Sequence, residues 1–349
     1  MLFTLEGIAF VWEKAQANGQ YAWELVASRR IDLVYYENPG AGYTLMTPGK
    51  HYKWRNISVD INSVGLRGPE FTNDKPEGVF RILNIGDSVA MGWGIAEKDT
   101  YGRQLETLLN QKVGGEHRYE VINAGVPGWN LENELAYLQG VGISLKPDLI
   151  LLDITIVNDI YGKSALSVAN LRPEPIEWIR TNTYFWPFLS IQKDWIQARL
   201  AGRDRIDTIN PPRSPERYFP LDPENAQWTQ VKDLVNEIGN TAKVNEIPVL
   251  VLLFPLEYQV VDPSYTTIPQ QILSQTSKKD GLTVIDLLPS FQEACREKET
   301  GSCQVQDYYL FADVWMHPSA LGDQITAQEL LNTFYKAEDY RTANRLAAQ

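Results

Sequence analysis

"RILNIGDSVAMGWG" occupies residues 81–94, and its reading decides the fold. Ile82, Leu83 and Ile85 form an apolar run of β-branched residues and leucine, as expected of a strand covered on both faces. The run stops at Gly86-Asp87-Ser88, and a glycine-studded loop follows. Ser88 is either a nucleophile raised on the end of a strand or a polar residue capping the next turn.

Working outward, strand and helix signals alternate from residue 80 onward. A helical stretch begins near Thr100, with Tyr101, Leu105, Leu108 and Leu109 on one face. "YEVIN" (119–123) reads as a short strand ending in the turn "NAGVPGWN", and Asn130 is placed to cap a helix bearing Leu131, Leu135 and Leu138. "PDLILLDITI" (147–156) and "IPVLVLLFP" (247–255) are apolar enough to be fully buried strands, and "GLTVIDL" (281–287) is a fifth. Trp228, Val231, Leu234, Val235 and Ile238 mark another helix, and "PSALGDQITAQELLNTFYKA" closes the alternation as a helix. Five strands separated by helices predict an α/β fold, a three-layer α/β/α sandwich around a five-stranded parallel sheet. Right-handed crossovers leave few topologies, and a flavodoxin-like strand order is the economical one. Ligands of such sheets bind beyond the strands' carboxyl ends, where Ser88, Asn123–Asn130 and Asn158 all fall.

Two segments stand outside this alternation. Residues 1–79 are expected to be an N-terminal extension, helical and then Gly/Pro-rich, packed on a core domain of residues 80–349. Within that domain, about 162–225 is an insertion rich in aromatics, including Trp178, Tyr184, Phe185, Trp186, Phe188 and Trp195. These aromatics either pack the insertion onto the core or form a cap over the active face. The opening "MLFTLEGIAFVW" is too short to span a bilayer and lacks a cationic start or cleavage site. It reads as an amphipathic helix on the domain, or as the tail of a membrane helix, which leaves membrane association through the N-terminus open.

Composition removes several classes. A net charge of −12 over 349 residues, with scattered Lys and Arg, argues against nucleic acid as a partner. No P-loop lysine and no Gly-x-Gly-x-x-Gly turn follows the first strand, so a nucleotide or flavin cofactor is not expected. The two cysteines, Cys295 and Cys303, are not in a Cys-x-x-Cys pair, so no metal site is expected. They are two free thiols or a local disulfide, and the second alternative implies an oxidising compartment.

Gly-Asp-Ser by itself is a common tripeptide. Its company is less common: "GDS" after the first strand, "NAGVPG" after the second, "VND" after the third and "HP" before the last helix. This ordered set, over about residues 80–345, resembles the GDSL or SGNH hydrolase family. "GDSVAMGWGIAEKDTYGRQLE" and "VINAGVPGWNLENELAYL" are similar to bacterial members linked to carbohydrate or envelope acyl groups, and "NSVGLRGPEF" to their lead-in. The resemblance implies a serine esterase or acylhydrolase, with a glycan or lipid acyl ester as substrate and no cofactor. A serine hydroxyl needs a base to accept its proton, and the tetrahedral oxyanion needs preorganised donors. By the family pattern Ser88 attacks, and its own N–H, that of Gly128 and the Asn158 amide form the oxyanion hole. Of three histidines, His51 and His117 sit in polar surroundings and read as surface residues, while His317, followed by Pro318 and a helix start, matches the family's final block, so the resemblance implies it as the base.

Two departures from the pattern matter. The third block is usually Gly-x-Asn-Asp but here is Ile156-Val157-Asn158-Asp159, and Asp159 reads as structural. The last block is usually Asp-x-x-His, whereas Asp313 stands four residues before His317 and Val314 takes the usual place. Asp313 is the expected third member, reached through a one-residue bulge; the alternative is a Ser-His dyad oriented by another group. An acyltransferase and an inactive carbohydrate-binding protein are the competing functions. The expected location is extracytoplasmic, periplasmic or membrane-associated.

Overall fold

The structure is a computed structural model describing residues 41–54, 57–112, 118–161, 218–262, 264–280, 282–296 and 316–336, with 5, 7, 8, 35–37, 189 and 215. At its centre is β5 (Val79–Gly86), whose eight-residue run is buried from Phe80 onward. It pairs in parallel with β6 (Arg118–Gly125) on one side and β7 (Leu149–Thr155) on the other. Then β8 (Val249–Phe254) joins β7, and β9 (Thr283–Asp286) closes the edge, also in parallel. The order β6-β5-β7-β8-β9 is the flavodoxin-like arrangement, second strand beside first.

The helices follow from the strands' period of two. Leu83, Ile85, Ile150, Leu152, Val251 and Leu253 face one core cluster with α3 (Leu131–Gly140), α5 (Ala226–Val244) and α7 (Ile268–Asp280). Ile82, Leu149, Leu151, Leu252 and Phe254 face a second cluster with α2 (Tyr101–Lys112), α8 (Leu288–Arg296) and α9 (Ala320–Lys336). Each of these side chains contributes about 1.5–3 kcal/mol by leaving water, so adjacent residues hold opposite layers. The short helices α1 (Ser88–Met91), α4 (Ile156–Tyr161) and α6 (Glu257–Val261) start at the carboxyl ends of β5, β7 and β8.

Several strand boundaries differ from the sequence reading, with β7 and β8 each shorter at both ends than the apolar stretches read for them. β6 runs two residues past Asn123, because Ala124 and Gly125 still pair with Ile85 and Gly86. β9 is confined to Thr283–Asp286. The leading segment also holds two antiparallel ribbons that its Gly/Pro-rich sequence did not announce: β1 (Tyr35–Glu37) with β2 (Thr44–Met46), and β3 (His51–Trp54) with β4 (Ile57–Asp60). Tyr43, Met46, Val59, Ile61 and Leu66 from this region are buried in the same cluster as Trp129 and Tyr137. Trp129 Nε1 donates to Thr44 O at 3.0 Å, which ties β2 to the turn after β6.

Cys295, at the end of α8, is disulfide-bonded. His117, Cys303, Asp313 and the named aromatics of the insertion lie outside the described residues. Among the described residues no helix is long and apolar enough to cross a membrane.

Candidate active site

Ser88 opens α1, a single turn capped by Asp87, whose Oδ1 accepts the Val89 N–H at 2.7 Å. As the first helical residue, Ser88 has an N–H with no intrahelical acceptor. Its Oγ is hydrogen-bonded to His317 Nε2 at 2.7 Å, across 229 residues of sequence. Both residues are only 6% exposed. With Nε2 unprotonated, the serine hydroxyl is the donor. Trp93 flanks the imidazole, its ring centre 6.1 Å away and inclined by 32°.

The stretch "NAGVPG" builds the neighbouring wall residue by residue. Asn123 Nδ2 donates to Ala90 O at 2.8 Å, and its Oδ1 accepts the Gly125 N–H at 2.9 Å. Gly125 must lack a Cβ, since one there would lie 2.2 Å from Met91 N. β6 therefore lies directly against the backbone of α1. Val126–Trp129 forms a turn closed by Trp129 N donating to Val126 O at 3.1 Å. Pro127 and Gly128 take its central positions, and Gly128 adopts φ +80°, where a glycine is strongly favoured. Asn130 then caps α3 in a reciprocal box with Asn133.

The third wall is the start of α4. Asn158 Nδ2 donates to Asp87 Oδ2 at 2.5 Å, and Thr155 Oγ1 donates to Asp87 Oδ1 at 3.2 Å. One amide hydrogen of Asn158 is thus committed to Asp87, which fixes where the other points. Burial pushes the Asp87 carboxyl up, opposed by the Val89 N–H, by His317 and by the Asn158 and Thr155 donors. Asp159 Oδ2 accepts the Thr155 N–H at 2.6 Å, which ties α4 back to the end of β7. This matches the structural role read for Asp159. Glu134 is fully buried beside it with neither oxygen hydrogen-bonded. Desolvation, then the charges of Asp159, Asp87 and Asp153, hold the Glu134 carboxyl well above the usual range. Burial, then the charge of Asp87, pushes the Asp159 carboxyl well above the usual range too, opposed by backbone N–H donors. Below Ser88, Tyr101 Oη donates to Asn84 Oδ1 at 2.8 Å, and Tyr101 N donates to Asp323 Oδ2 at 2.9 Å.

Of the residues expected from sequence, Ser88 and His317 are brought into direct contact. Asn158 reaches the residue next to Ser88, and Gly128 occupies the turn leaving β6 at the same edge of the sheet. His51 is exposed and pairs with Asp60 at 2.5 Å, as a surface residue would. Sequence reasoning missed Asp87, Asn123 and Trp93. Asp87 stands inside "GDS" with no local sign of its bond to Asn158, and Asn123 and Trp93 meet Ala90 O and the His317 ring from other segments. Among the described residues no group of three or more His, Cys, Asp or Glu side chains could hold a metal ion.

A doubly wound parallel sheet with a buried serine–histidine pair at its carboxyl edge has the architecture of an α/β serine hydrolase. The chain belongs to the GDSL-like lipase/acylhydrolase family, whose model matches residues 85–325, and it is a serine hydrolase acting on ester bonds. No curated protein matches it by sequence. Among solved structures it is similar to a catalytic mutant of Axe2, an acetylxylan esterase from Geobacillus stearothermophilus, at 15% identity over 74% of this chain and 94% of that one, TM-score 0.45. It is also similar to the acetyl xylan esterase AlAXEase, at 14% identity over 72% and 98%, TM-score 0.45. A lipolytic G-D-S-L protein from Veillonella parvula shares 14% identity over 74% and 99%, TM-score 0.43.

Proposed function

We propose that the chain cleaves an O-acyl ester of a carbohydrate or lipid through an acyl-enzyme on Ser88. The observation that carries this reading is the 2.7 Å contact between Ser88 Oγ and His317 Nε2. His317 accepts the hydroxyl proton as Oγ attacks the ester carbonyl, then delivers it to the departing alkoxide. Water then loses a proton to His317, attacks the acyl carbon and releases the carboxylic acid and free Ser88. The oxyanion of each tetrahedral intermediate is received by the N–H groups of Ser88 and Gly128 and by the Asn158 amide, each donor lowering the barrier by about 3 kcal/mol. Asp313 is proposed as the group that orients His317. The carbohydrate or lipid alcohol is supported by the resemblance of the Ser88 and Asn123 stretches to envelope-linked members. The disulfide at Cys295 supports an extracytoplasmic location, since such bonds persist in oxidising compartments.

The test is labelling with a fluorophosphonate together with turnover of an activated ester and of acetylated glycans. The intact protein should be labelled on Ser88, S88A should lose label and turnover, and H317A should lose turnover while staying folded. Undiminished label in S88A would overturn the assignment.

A further inference from the structure

We propose that Arg67, in the segment before the family-matched residues 85–325, is a positioning residue for catalysis that holds the backbone of the nucleophile turn and of the Trp93 loop. The inference rests on the hydrolase reading of Ser88 and His317.

α1 is one turn long, so nearly all its carbonyls lie at a helix end and need outside donors. Trp93 N donates to Ser88 O at 2.9 Å and Gly92 N to Val89 O at 3.0 Å. Asn123 Nδ2 satisfies Ala90 O, and Arg67 Nη1 satisfies Met91 O at 3.1 Å. The same Nη1 donates to Gly92 O at 2.6 Å, and Nη2 donates to Ile95 O at 2.7 Å. One guanidinium thus spans the chain from the end of α1 to the far side of Trp93, the residue that flanks His317. Its planar fork is suited to several carbonyls at once, unlike an ammonium.

Arg67 is itself held from below. Its backbone forms an antiparallel bridge with Ile61. Asn62 folds "NSVGLRG" into a tight loop, its Oδ1 accepting the Val64 and Leu66 N–H groups at 3.2 and 3.0 Å. Arg67 is 2% exposed. Burial lowers its pKa to about 10, against the attraction of Glu97, Asp323 and Asp60, so it stays cationic at neutral pH. The motif that the sequence showed as a lead-in is, on this argument, part of the support for the nucleophile.

Arg81 supplies the control. It is equally buried and also donates to main-chain carbonyls, Leu145 O at 2.8 Å and Thr72 O at 2.8 Å, but from the opposite end of β5. Wild type, R67M, R67K and R81M are compared by melting temperature, by kcat and KM on an activated ester and by the rate of fluorophosphonate labelling. R67M should lower kcat and labelling roughly tenfold to a hundredfold with KM nearly unchanged, because small misplacements of reacting groups cost that much. R67K, which keeps a cation and part of the hydrogen bonding, should fall between and serves if R67M does not accumulate. R81M should lose stability and keep its kcat. An active wild type with R67M and R67K equally active in folded form overturns the proposal, as does a matching loss of kcat in R81M. A wild type that neither labels nor turns over overturns the hydrolase reading itself.

Discussion

Replacing Asp87 with asparagine tests the oxyanion role proposed for Asn158, through how its amide is aimed. Asparagine caps helices as well as aspartate, so its oxygen can keep the Val89 N–H, now 2.7 Å from Oδ1. The other end then presents an NH2 where Oδ2 stood, 2.5 Å from Asn158 Nδ2. Two donors cannot share that distance, and the Asn158 amide must flip or withdraw. A flipped amide turns its oxygen toward the reacting carbonyl, which removes one donor and adds a repulsive dipole. Removing one oxyanion donor costs about 10²–10³ in kcat, or ~3–4 kcal/mol, and the D87N loss should fall in or above that range. The assay is kcat on an activated ester for D87N, N158A and the double variant, with melting temperatures for each. Since both single changes disable the same donor, the double variant should be little worse than N158A alone, a coupling of ~2 kcal/mol or more. A folded D87N within about threefold of wild type, or losses that multiply in the double variant, would refute the reasoning.

Other outcomes follow from particular contacts. Glu134 is raised by burial first, so the folded state keeps a proton that the unfolded chain releases; stability is full below the unfolded value near pH 4.3 and is lost as pH rises through the folded value. E134Q mimics the protonated acid and should flatten the decline of melting temperature as pH rises above about 5; an unchanged slope would count against a proton on Glu134. G125A places a Cβ 2.2 Å from Met91 N and should lower both stability, by about 1–3 kcal/mol or more, and kcat. A crystal structure of G125A with α1 unmoved would contradict this. N123A strips Ala90 O and Gly125 N–H of a partner and should cost about 1–3 kcal/mol in denaturant unfolding.

How much of this was legible beforehand depends on the range of the interaction. The five strands and the cap at Asn130 were read from periodicity and turn chemistry, which act over a few residues, and the strand order from the handedness of parallel crossovers. The two-residue extension of β6 was not, because it depends on pairing with β5 rather than on local preference. The leading ribbons were missed for the same reason: their residues are Gly/Pro-rich, and burial against Trp129 and Tyr137 is what orders Tyr43 and Met46.

By itself the sequence determined a parallel α/β sheet, a serine at the end of its first strand and a single well-placed histidine. The sheet and the strand end follow from hydrophobic spacing, and the histidine from the family resemblance of its block together with the scarcity of histidine. Only the tertiary structure decided that Ser88 meets His317, that Asp87 grips Asn158 and that Arg67 reaches the end of α1. Those contacts join residues 229, 71 and 25 positions apart. Hydrogen bonds require groups within about 3 Å at defined angles, and over such separations the register and packing of the strands set those distances.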